Sequence, residues 1–567
     1  VTVVDTKARR VLTDIIDTPP GGPGEGSTPT AFSLSADGTR LYIAESDNNA
    51  IALVDLSAST SGVATAKGND LVAGRIPTQW YPTAVVARND SLIVLTGKGR
   101  GTKANPDGPR PGLDRGEAGY NSNAYTLGQT SGTLLTSTSA RAIGADLDAL
   151  SARVARANRW GEARIDAPLP PIQHVIYIVK ENRTYDQIFG DLPQADGDTS
   201  LTFFPRAVSP NHHALAERFG LMDRFFVNAE VSPDGHNWSM AAYTTDYTQK
   251  TVPQNYSRPS RGRTYDWEGQ NRNVVPADNE DVAEPANGYL WNLAQRAGVS
   301  FRNYGEFVVP EGGGRGGATV PRGYTGVKPF LRSHTNTEYP AFDLNITDQR
   351  RADIWIADFK GFVATGVMPQ LQILRLPNDH TSGARADAPS PKAQVADNDL
   401  ALGRIVEAVS RSPFWKNTVI FVVEDDAQNG SDHVDSHRAP ALIISAYNKP
   451  GVYHRFINTT DVIATMERIL KLGSLSQFDH FGRPVTEIFG TSADLRPYAA
   501  LTPQQRLDEV NKAGTREARE SAKLELTFED TADEQLFNQI LWRTIKGPNV
   551  PYPGTRRMST LEYARAR

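Results

Sequence analysis

The residues of this chain that are best suited to chemistry are concentrated in one stretch, Val422–His437, which reads VVEDDAQNGSDHVDSH. An apolar run of strand length, Thr418–Val423, leads into this stretch and stops on consecutive acids. The acidic and histidine side chains that follow are Glu424, Asp425, Asp426, Asp432, His433, Asp435 and His437. A buried strand that ends on acids and is followed by histidines is typical of a hard-cation or zinc site. A solvated acidic loop is the simpler interpretation for any one of these residues, whereas their density favours a metal site.

Two more apolar runs end in polar side chains of the same kinds. The run HVIYIV leads into Glu181 and Asn182. The run QLQILRL leads into Asp379 and His380. In parallel α/β sheets, ligands sit at the carboxyl ends of the strands. We therefore expect these three polar segments to meet at one edge of a sheet.

The side chains at these strand ends predict a divalent metal site. Carboxylates gathered without compensation raise one another's pKa values, and a bound divalent ion removes that penalty. The expected ligands are Glu181, Asn182, Asp425 and Asp426, with Asp379, His380 and His437 as further ligands and His433 as another candidate. Such ions stabilise a phosphoryl transition state and activate a nucleophile, so the set indicates phosphoester hydrolysis. Histidine ligands favour zinc or iron, and oxygen ligands favour calcium, magnesium or manganese, so the identity of the metal stays open.

The elements that must position these side chains indicate an α/β unit. Helical stretches at Tyr289–Arg296 and Leu400–Ser410 lie between the apolar runs, and such alternation favours a mainly parallel sheet. Continuous apolar runs fit a sheet that is buried on both faces. We place this unit at residues 171–500, after a helix and a proline-rich linker at 141–170. A helical extension at 501–567 is expected to pack on it.

Residues 1–140 show a different pattern, a degenerate repeat of short strands. VTVVD at Val1–Asp5 reappears as IALVD at Ile51–Asp55, and Pro29–Glu45 is echoed by Tyr81–Gly97. Units of about 40–50 residues with several strands favour propeller blades. The repeats resemble the YVTN-type β-propeller of bacterial surface and secreted proteins. Because a closed propeller needs at least about four blades, we expect an incomplete propeller-like module, with an ordinary antiparallel β domain as the alternative.

The composition restricts the classes of partner and site. The 567 residues carry a net charge of −5 with no basic stripe, which disfavours nucleic acid as a partner. Cysteine is absent, which excludes disulfides, thiolate metal sites and cysteine nucleophiles. No apolar run approaches the ~18 residues of a membrane-spanning helix. The chain begins at Val1 without a signal peptide, so we interpret it as a processed product or a fragment. Missing blades or another copy in a homo-oligomer would cover its open sheet edges.

Two motifs carry a resemblance to a known family. The stretch His174–Leu192, HVIYIVKENRTYDQIFGDL, resembles the opening motif of the phosphoesterase family, which includes bacterial phospholipases C and acid phosphatases. Asp425-Asp426, Gly430 and Asp432-His433-Val434 resemble a later motif of that family. Because the family belongs to the alkaline phosphatase superfamily, the resemblance implies an alkaline-phosphatase-like three-layer α/β sandwich. It also implies that Glu181-Asn182 contributes to the metal site and that the protein is secreted, periplasmic or on the cell surface.

The nucleophile turn departs from the family pattern. Members carry Ser or Thr in a Gly-Pro-Thr-x-Pro-Asn-like turn at a helix start, and the best match here is SPDGHN at Ser232–Asn237. This alignment puts Asp234 at the hydroxyl position, where it would bind a metal, accept a phosphoryl group or leave attack to a water. Ser232 is the alternative nucleophile, and loss of catalysis is the third possibility. His236 in the same turn would bind the phosphate or act as an acid.

These observations predict one of two functions. The first is a metal-dependent hydrolase of phosphoric esters, acting as a phosphatase, a phosphodiesterase or a phospholipase C. The second is a non-catalytic surface or assembly protein that reuses the fold, which Asp234 at the nucleophile turn and the incomplete propeller favour. His212 and His213 are further site candidates, because the family has a histidine in this region.

Overall fold

The computed structural model describes residues 1–56, 72–100, 132–137, 145–162, 168–256, 283–312, 321–427, 430–524, 526, 532–556, 558 and 565. The strands are β1 (Thr2–Asp5), β2 (Arg10–Asp14), β3 (Pro29–Leu34), β4 (Arg40–Glu45), β5 (Ala50–Asp55), β6 (Val72–Pro77), β7 (Pro82–Arg88), β8 (Ser91–Thr96), β9 (Thr133–Ser137), β10 (His174–Lys180), β11 (Leu221–Met222), β12 (Phe225–Phe226), β13 (Phe301–Tyr304), β14 (Val308–Glu311), β15 (Gly323–Gly326), β16 (Leu371–Leu376), β17 (Thr418–Glu424), β18 (Leu442–Ser445), β19 (Val452–Tyr453) and β20 (Ile457–Asn458). The α-helices are α1 (Leu147–Ala157), α2 (Tyr185–Phe189), α3 (Pro210–Phe219), α4 (Ser232–Ala241), α5 (Asp246–Tyr256), α6 (Leu290–Ala297), α7 (Pro329–His334), α8 (Asp348–Thr365), α9 (Pro391–Ser410), α10 (Thr459–Leu470), α11 (Gln477–His480), α12 (Arg516–Ser521) and α13 (Glu534–Lys546). Within the described part of the chain, none of these helices combines the length and apolarity needed to cross a membrane.

The N-terminal strands form three antiparallel sheets, β1–β2, β3–β4–β5–β6 and β7–β8–β9. Strand alternation gives the middle sheet two apolar faces. On one face, Tyr42 and Leu53 cluster with Val85 and Val94 of the third sheet. On the other face, Ile43 belongs to a cluster that the first hairpin helps to cover. These stacked antiparallel sheets are the part of the propeller prediction that the structure confirms, and closure into a ring is not seen among the described residues.

The N-terminal sheets contact the rest of the chain through polar side chains. Gln477, at the start of α11, donates from Nε2 to the carbonyl of Gly26 and to Oδ1 of Asn48. The indole of Trp160 donates back to Gln477 Oε1 at 3.0 Å. Because these groups are buried, their hydrogen bonds fix how the sheets sit on the larger unit.

A five-stranded sheet organises the larger unit, in the order β13–β16–β10–β17–β18. The first four strands are parallel, and β18 runs antiparallel to β17. Lys180 at the end of β10 lies opposite both Leu376 of β16 and Glu424 of β17. This register brings the polar segments that follow these three strands to one edge of the sheet. The mainly parallel sheet expected from the sequence is thus confirmed.

Helices cover both faces of this sheet, which makes the predicted three-layer sandwich. Alternate residues of the central strands point to opposite faces, with Ile176 and Ile178 on one and Val175 and Tyr177 on the other. The first face packs on α3, α8, α9 and α13, and the second packs on α4, α6 and α10. Each central strand is therefore apolar on both sides, as the continuous runs in the sequence predict.

Candidate active site and metal centre

The candidate site lies where the ends of β10 and β17 meet the first turn of α4. The amide of Asp425 donates to the carbonyl of Lys180 at 3.1 Å, which extends the ladder one residue past both strands. Gly235 in the first turn of α4 packs directly on this edge, because a Cβ added there would lie 2.9 Å from the Asp425 carbonyl oxygen. The helix start and the strand ends are therefore held in direct contact.

Three buried side chains form the centre of the site. Ligand atoms of Glu181, His236 and Asp425 all lie within 4.8 Å of one another. Nε2 of His236 is 3.6 Å from Oε1 of Glu181 and 3.5 Å from Oδ2 of Asp425. Two carboxylates and an imidazole at these separations are a set that metal ions bind. The buried acidic and histidine groups of this chain thus fit a divalent ion.

Asn182, Ser232 and Asp426 form the adjoining part of the site. Asn182 adopts a left-handed backbone with φ of 70°, a conformation that Asn tolerates better than most residues. Its Nδ2 donates to Oδ2 of Asp426 at 3.3 Å, and the hydroxyl of Ser232 donates to the same oxygen at 2.8 Å. The hydroxyl at the start of α4 therefore faces the carboxylates at the end of β17.

Two buried oxygen atoms of the site have the chemistry of ligands for a divalent ion. Among the described residues, Oε2 of Glu181 and Oδ1 of Asn182 are buried and accept no hydrogen bond. A buried polar atom without a partner costs free energy. Both atoms are oxygen donors of the kind that hard cations bind, so the donors present match the chemistry of such an ion.

Arg375 of β16 is a further member of the site that the sequence did not indicate. Its Nε and Nη2 donate to Oε1 of Glu181 at 2.8 and 2.6 Å. Burial, the largest influence, raises the pKa of the Glu181 carboxyl, but Arg375, His236 and His380 together outweigh burial and lower this pKa to about 2. An arginine inside a strand that is apolar apart from Gln372 is the signal that could have identified it, since a buried guanidinium requires an acidic partner.

Glu306, which follows β13, is the second functional residue missed from the sequence. Its Oε1 lies 2.7 Å from Nδ1 of His236. The sequence offered no signal, because β13 itself was not identified as a strand. The structure therefore adds a buried carboxylate that orients the imidazole of His236.

Hydrogen bonding decides the protonation of His236. Burial and Arg375 lower its pKa, while Glu306 and Glu181 raise it, and the net direction is well above the ordinary value. However, Nη2 of Arg375 lies 2.8 Å from Nε2 of His236. A guanidinium can only donate, so this contact is a hydrogen bond only if Nε2 carries no proton. We therefore assign the neutral tautomer, with its proton on Nδ1 and donated to Glu306.

The side chain of Asp234 points away from the centre. Its carboxylate accepts from the backbone amides of Glu230 at 3.4 Å and Val231 at 3.2 Å. Burial, followed by the nearby charge of Glu230, raises the pKa of Asp234 to about 7. Asp234 thus stabilises the start of α4, and it is Ser232 that faces the carboxylates of the site.

Asp379 lies directly beside the centre and pairs with a lysine. Nζ of Lys180 is 2.8 Å from Asp379 and 3.2 Å from Glu424. Oδ1 of Asp379 also accepts the backbone amide of Glu181 at 3.1 Å. Burial, followed by the charge of Asp379, raises the pKa of Glu424 to about 8. These groups support the strand end that carries Glu181.

The remaining histidine candidates make contacts outside the central cluster. The His380 ring stacks on Phe537, with 5.6 Å between ring centroids. The other four pair with carboxylates, His437 with Glu230 and Asp435, His433 with Asp186 and Asp196, His212 with Asp399 and His213 with Asp191. Burial, the largest influence, lowers the pKa of His437, but Glu230 and Asp435 outweigh it and raise this pKa to about 10. The geometry thus brings together Glu181, Asn182, Asp425 and Asp426, but not these histidines.

The acidic group around His433 already contains a cation. Asp186, Asp432 and His433 could hold a metal ion by their separations. Arg438, however, lies 2.9 Å from Asp186 and 3.1 Å from Asp432. The guanidinium supplies there the positive charge that a metal ion would otherwise bring.

Comparison with known proteins places the chain in a family. Residues 193–473 match the family model described as the Phosphoesterase family. A search of curated proteins found no match. A solved structure of an alkaline phosphatase superfamily protein from Vibrio parahaemolyticus is similar at 15% identity, over 58% of this chain and 76% of that one, with a TM-score of 0.36. The phosphonate monoester hydrolase of Agrobacterium radiobacter is similar at 16% identity, over 55% of this chain and 78% of that one, with a TM-score of 0.31.

TM-scores this low do not establish a shared fold, so the assignment rests on the family model. The matched residues include Ser232, His236, Arg375 and Asp425, which all lie in the candidate site. Through residues 193–473, this chain belongs to the phosphoesterase family.

Proposed function

We propose that this chain is a metal-dependent hydrolase of phosphoric esters, of the phosphatase, phosphodiesterase or phospholipase C kind, with Ser232 as its nucleophile. The observation that carries the proposal is the hydrogen bond of 2.8 Å from the Ser232 hydroxyl to Asp426, beside the buried carboxylates. Membership of the phosphoesterase family supports ester hydrolysis as the general reaction. The family resemblance further favours a secreted, periplasmic or cell-surface location.

The first turn of α4 supports attack by Ser232. A helix N-terminus carries partial positive charge and favours an anionic phosphoryl group. In attack, Oγ of Ser232 would form a bond to phosphorus while its proton passes to Asp426, which already accepts it in a hydrogen bond. The bond from phosphorus to the ester oxygen would break, and the ester oxygen would take a proton from solvent and leave as the alcohol. A water would later hydrolyse the phosphoserine, which would release phosphate and restore the Ser232 hydroxyl.

The metal would be held by oxygen atoms of Glu181, Asn182, Asp425 and Asp426. When bound, a divalent ion neutralises the charge of the phosphoryl group and favours ionisation of the attacking hydroxyl. The unpartnered oxygens of Glu181 and Asn182 support this assignment. A ligand set made only of oxygen favours calcium, magnesium or manganese over zinc or iron.

Hydrolysis of generic substrates tests the proposal. The purified chain should release nitrophenol from an aryl phosphate monoester or diester, lose this activity to a chelator and regain it with a divalent ion. Asp425→Asn should abolish the activity while circular dichroism and thermal unfolding stay close to wild type. Asp353→Asn, at a surface ion pair, is the matched control and should behave as wild type. Unchanged activity in Asp425→Asn would refute the metal assignment.

Two observations favour a non-catalytic assembly protein as the second candidate. Ser232 is fully buried, so a substrate reaches it only if the surrounding wall opens. In addition, the outer face of β7–β9 carries Val86, Leu95 and Leu134, which are 49%, 48% and 62% exposed. The opposite face of this sheet already packs on another sheet, and a second copy of this chain could cover the outer face in the same way.

The two candidates differ in turnover and in oligomeric state. An oligomer in light scattering that dissociates on Leu134→Glu, without hydrolysis of any phosphomonoester or phosphodiester, would favour the assembly protein. A monomer that hydrolyses such esters would refute it.

A further inference from the structure

The nucleophile turn before and within the first half of α4 reaches solvent at one residue. Ser232 is fully buried. Among residues 229–237, all of which the structure describes, Glu230 alone is exposed. Glu230 stands two positions before Ser232, so the shortest way along the chain from solvent to the hydroxyl leads past its side chain. The contacts that hold Glu230 therefore keep this side of the site closed.

His437 holds Glu230 in place. Nε2 of His437 lies 3.2 Å from Oε1 of Glu230, and the His437 carbonyl accepts the amide of Val227 at 2.9 Å. On the other side of the ring, Nδ1 lies 2.7 Å from Oδ1 of Asp435, which is buried. An imidazole with a carboxylate at each nitrogen donates from both and carries a positive charge. His437 thus ties the nucleophile turn to the loop that contains Asp435.

A segment near the C-terminus, residues 550–556, lies on the same loop, and we call it the C-terminal strap. The carbonyl of Arg556 accepts the backbone amide of Ser436 at 2.8 Å. Just beyond the strap, the amide of Met558 donates to Oδ2 of Asp435. The two oxygens of the Asp435 carboxylate therefore bind different partners, the imidazole on one side and the end of the chain on the other.

The other end of the strap is anchored on α13. The carbonyl of Val550 accepts from Nε1 of Trp542 at 3.0 Å, and the ring of Tyr552 packs on the same indole with 5.9 Å between centroids. Between these anchors, residues 551–556 form neither helix nor strand. Pro551 and Pro553 have no amide to donate. Segments with so few backbone hydrogen bonds are the ones that open at low cost.

We propose that the C-terminal strap is an autoinhibitory latch on the nucleophile turn. While the strap is in place, Asp435 and His437 hold Glu230 and the turn stays closed. When the strap leaves, Glu230 moves away and an ester reaches Ser232. This inference rests on the proposed function for the role of Ser232, and it adds the control of access to that residue.

A reversible cross-link tests the latch. The chain has no cysteine, so the double variant Ser436→Cys/Arg556→Cys carries two thiols, on backbones that are hydrogen-bonded and close enough for a disulfide. Oxidation should lower the rate of aryl phosphate hydrolysis at least about tenfold, and a reductant should restore it. Each single variant is a matched control and should not respond. Equal rates in the oxidised and reduced double variant, or thiols that fail to pair in the folded protein, would overturn the inference.

Weakening of the strap should have the opposite effect. Tyr552→Ala loses the packing on Trp542 and should raise kcat/KM at least about threefold, because more of the protein is then open. Arg556→Ala is the control, because it keeps the carbonyl that binds Ser436 and should behave as wild type. In a His437→Ala background the cross-link should have little effect, since the strap acts on the nucleophile turn through that imidazole. Undiminished inhibition there, or no gain in Tyr552→Ala, would contradict the inference, and the cross-link decides it if Tyr552→Ala does not fold.

Hydrogen exchange separates the inference from the proposed function. Exchange of the amides of residues 229–237 should slow at least about tenfold on oxidation of the double variant, whether or not an ester is hydrolysed. Slowed exchange without hydrolysis of any ester would refute the function and leave the latch standing. Hydrolysis at the same rate in both redox states would refute the latch and leave the function standing.

Discussion

The hydroxyl of Ser232 donates to Oδ2 of Asp426 at 2.8 Å, across 194 positions in the chain. Asn182 reaches the same carboxylate oxygen from the end of β10. One oxygen atom thus joins the nucleophile turn to the ends of two central strands. The consequence is that a hydroxyl, and not the carboxylate of Asp234, faces the candidate metal centre.

Substitution of Ser232 should separate chemistry from folding. Removal of a nucleophile leaves binding intact and removes the covalent step, so Ser232→Ala should lower kcat at least about 1000-fold. Its melting temperature should stay near that of wild type. Initial rates on an aryl phosphate, with circular dichroism as the check on folding, measure both. Activity of Ser232→Ala close to wild type would rule out Ser232 as the nucleophile.

Asp234 should matter for stability and little for chemistry. Asp234→Asn keeps an acceptor for the amides of Glu230 and Val231, so its kcat should lie within about tenfold of wild type. Asp234→Ala loses that acceptor and should cost about 1 kcal/mol in the free energy of unfolding. Denaturant titration and initial rates check both statements. A loss of activity in Asp234→Asn as large as that in Ser232→Ala would return Asp234 to the role of nucleophile.

The contact between Gly235 and the end of β17 should be essential to the geometry of the site. A Cβ at Gly235 would lie 2.9 Å from the backbone oxygen and 3.2 Å from Oδ2 of Asp425, and backbone cannot move aside cheaply. Gly235→Ala should therefore displace Ser232 from Asp426 and lower kcat about 100-fold. Gly361→Ala in α8 is the control, because an added Cβ there meets nothing within 4 Å. That control should keep wild-type activity, and equal rates in the two variants would contradict the prediction.

Lys180 should be critical for stability. It is buried between Asp379 and Glu424, and its removal leaves the buried Asp379 carboxylate without its cation. We expect Lys180→Met to lower the free energy of unfolding by about 3–5 kcal/mol. The double variant Lys180→Met/Asp379→Asn should recover part of that loss, since the Asp379 carboxylate is then replaced by a neutral amide. Denaturant titration of wild type and both variants measures the effect, and no recovery in the double variant would show that charge is not the cause.

The N-terminal sheets should lose stability as the pH rises through 7. Glu45 is fully buried beside Arg75, and burial outweighs this partner and raises the pKa of Glu45 to about 7. A carboxyl whose folded pKa lies above its unfolded pKa stabilises the fold fully below the unfolded value and progressively less as pH rises through the folded value.

Between the unfolded and the folded pKa of Glu45, the free energy of unfolding should fall by about 1.4 kcal/mol for each unit of pH. Glu45→Gln removes the titrating group and should abolish the slope. Hydrogen exchange of β4 and β5 amides from about pH 5 to pH 8, corrected for intrinsic rates, compares the two proteins. Equal slopes in wild type and variant would contradict the assignment.

The sequence by itself determined which strand ends would meet. The runs VIYIV (Val175–Val179) and VIFVV (Val419–Val423) are apolar at every position, so they fit a sheet covered on both faces, and the polar residues that follow them must share its carboxyl edge. That reasoning predicted that Glu181, Asn182, Asp425 and Asp426 lie close together, and the structure has them at one edge of the sheet. The prediction succeeds because the direction and register of neighbouring parallel strands fix the positions of the residues that directly follow them.

Only the tertiary structure decided how the side chains around that edge are used. Alignment of the α4 turn with the family pattern put Asp234 at the position of the nucleophile. Residues two apart at a helix start point in different directions. Ser232 therefore faces the end of β17, whereas Asp234 faces the backbone that precedes the helix. Arg375 and Glu306 come from β16 and from the loop after β13, and no local pattern links either to His236. The pairing of Asp379 with Lys180 likewise joins two strand ends, and no local sequence pattern predicts it. Which of several nearby charges pair with one another depends on packing across the fold, and that information is absent from any single segment of the chain.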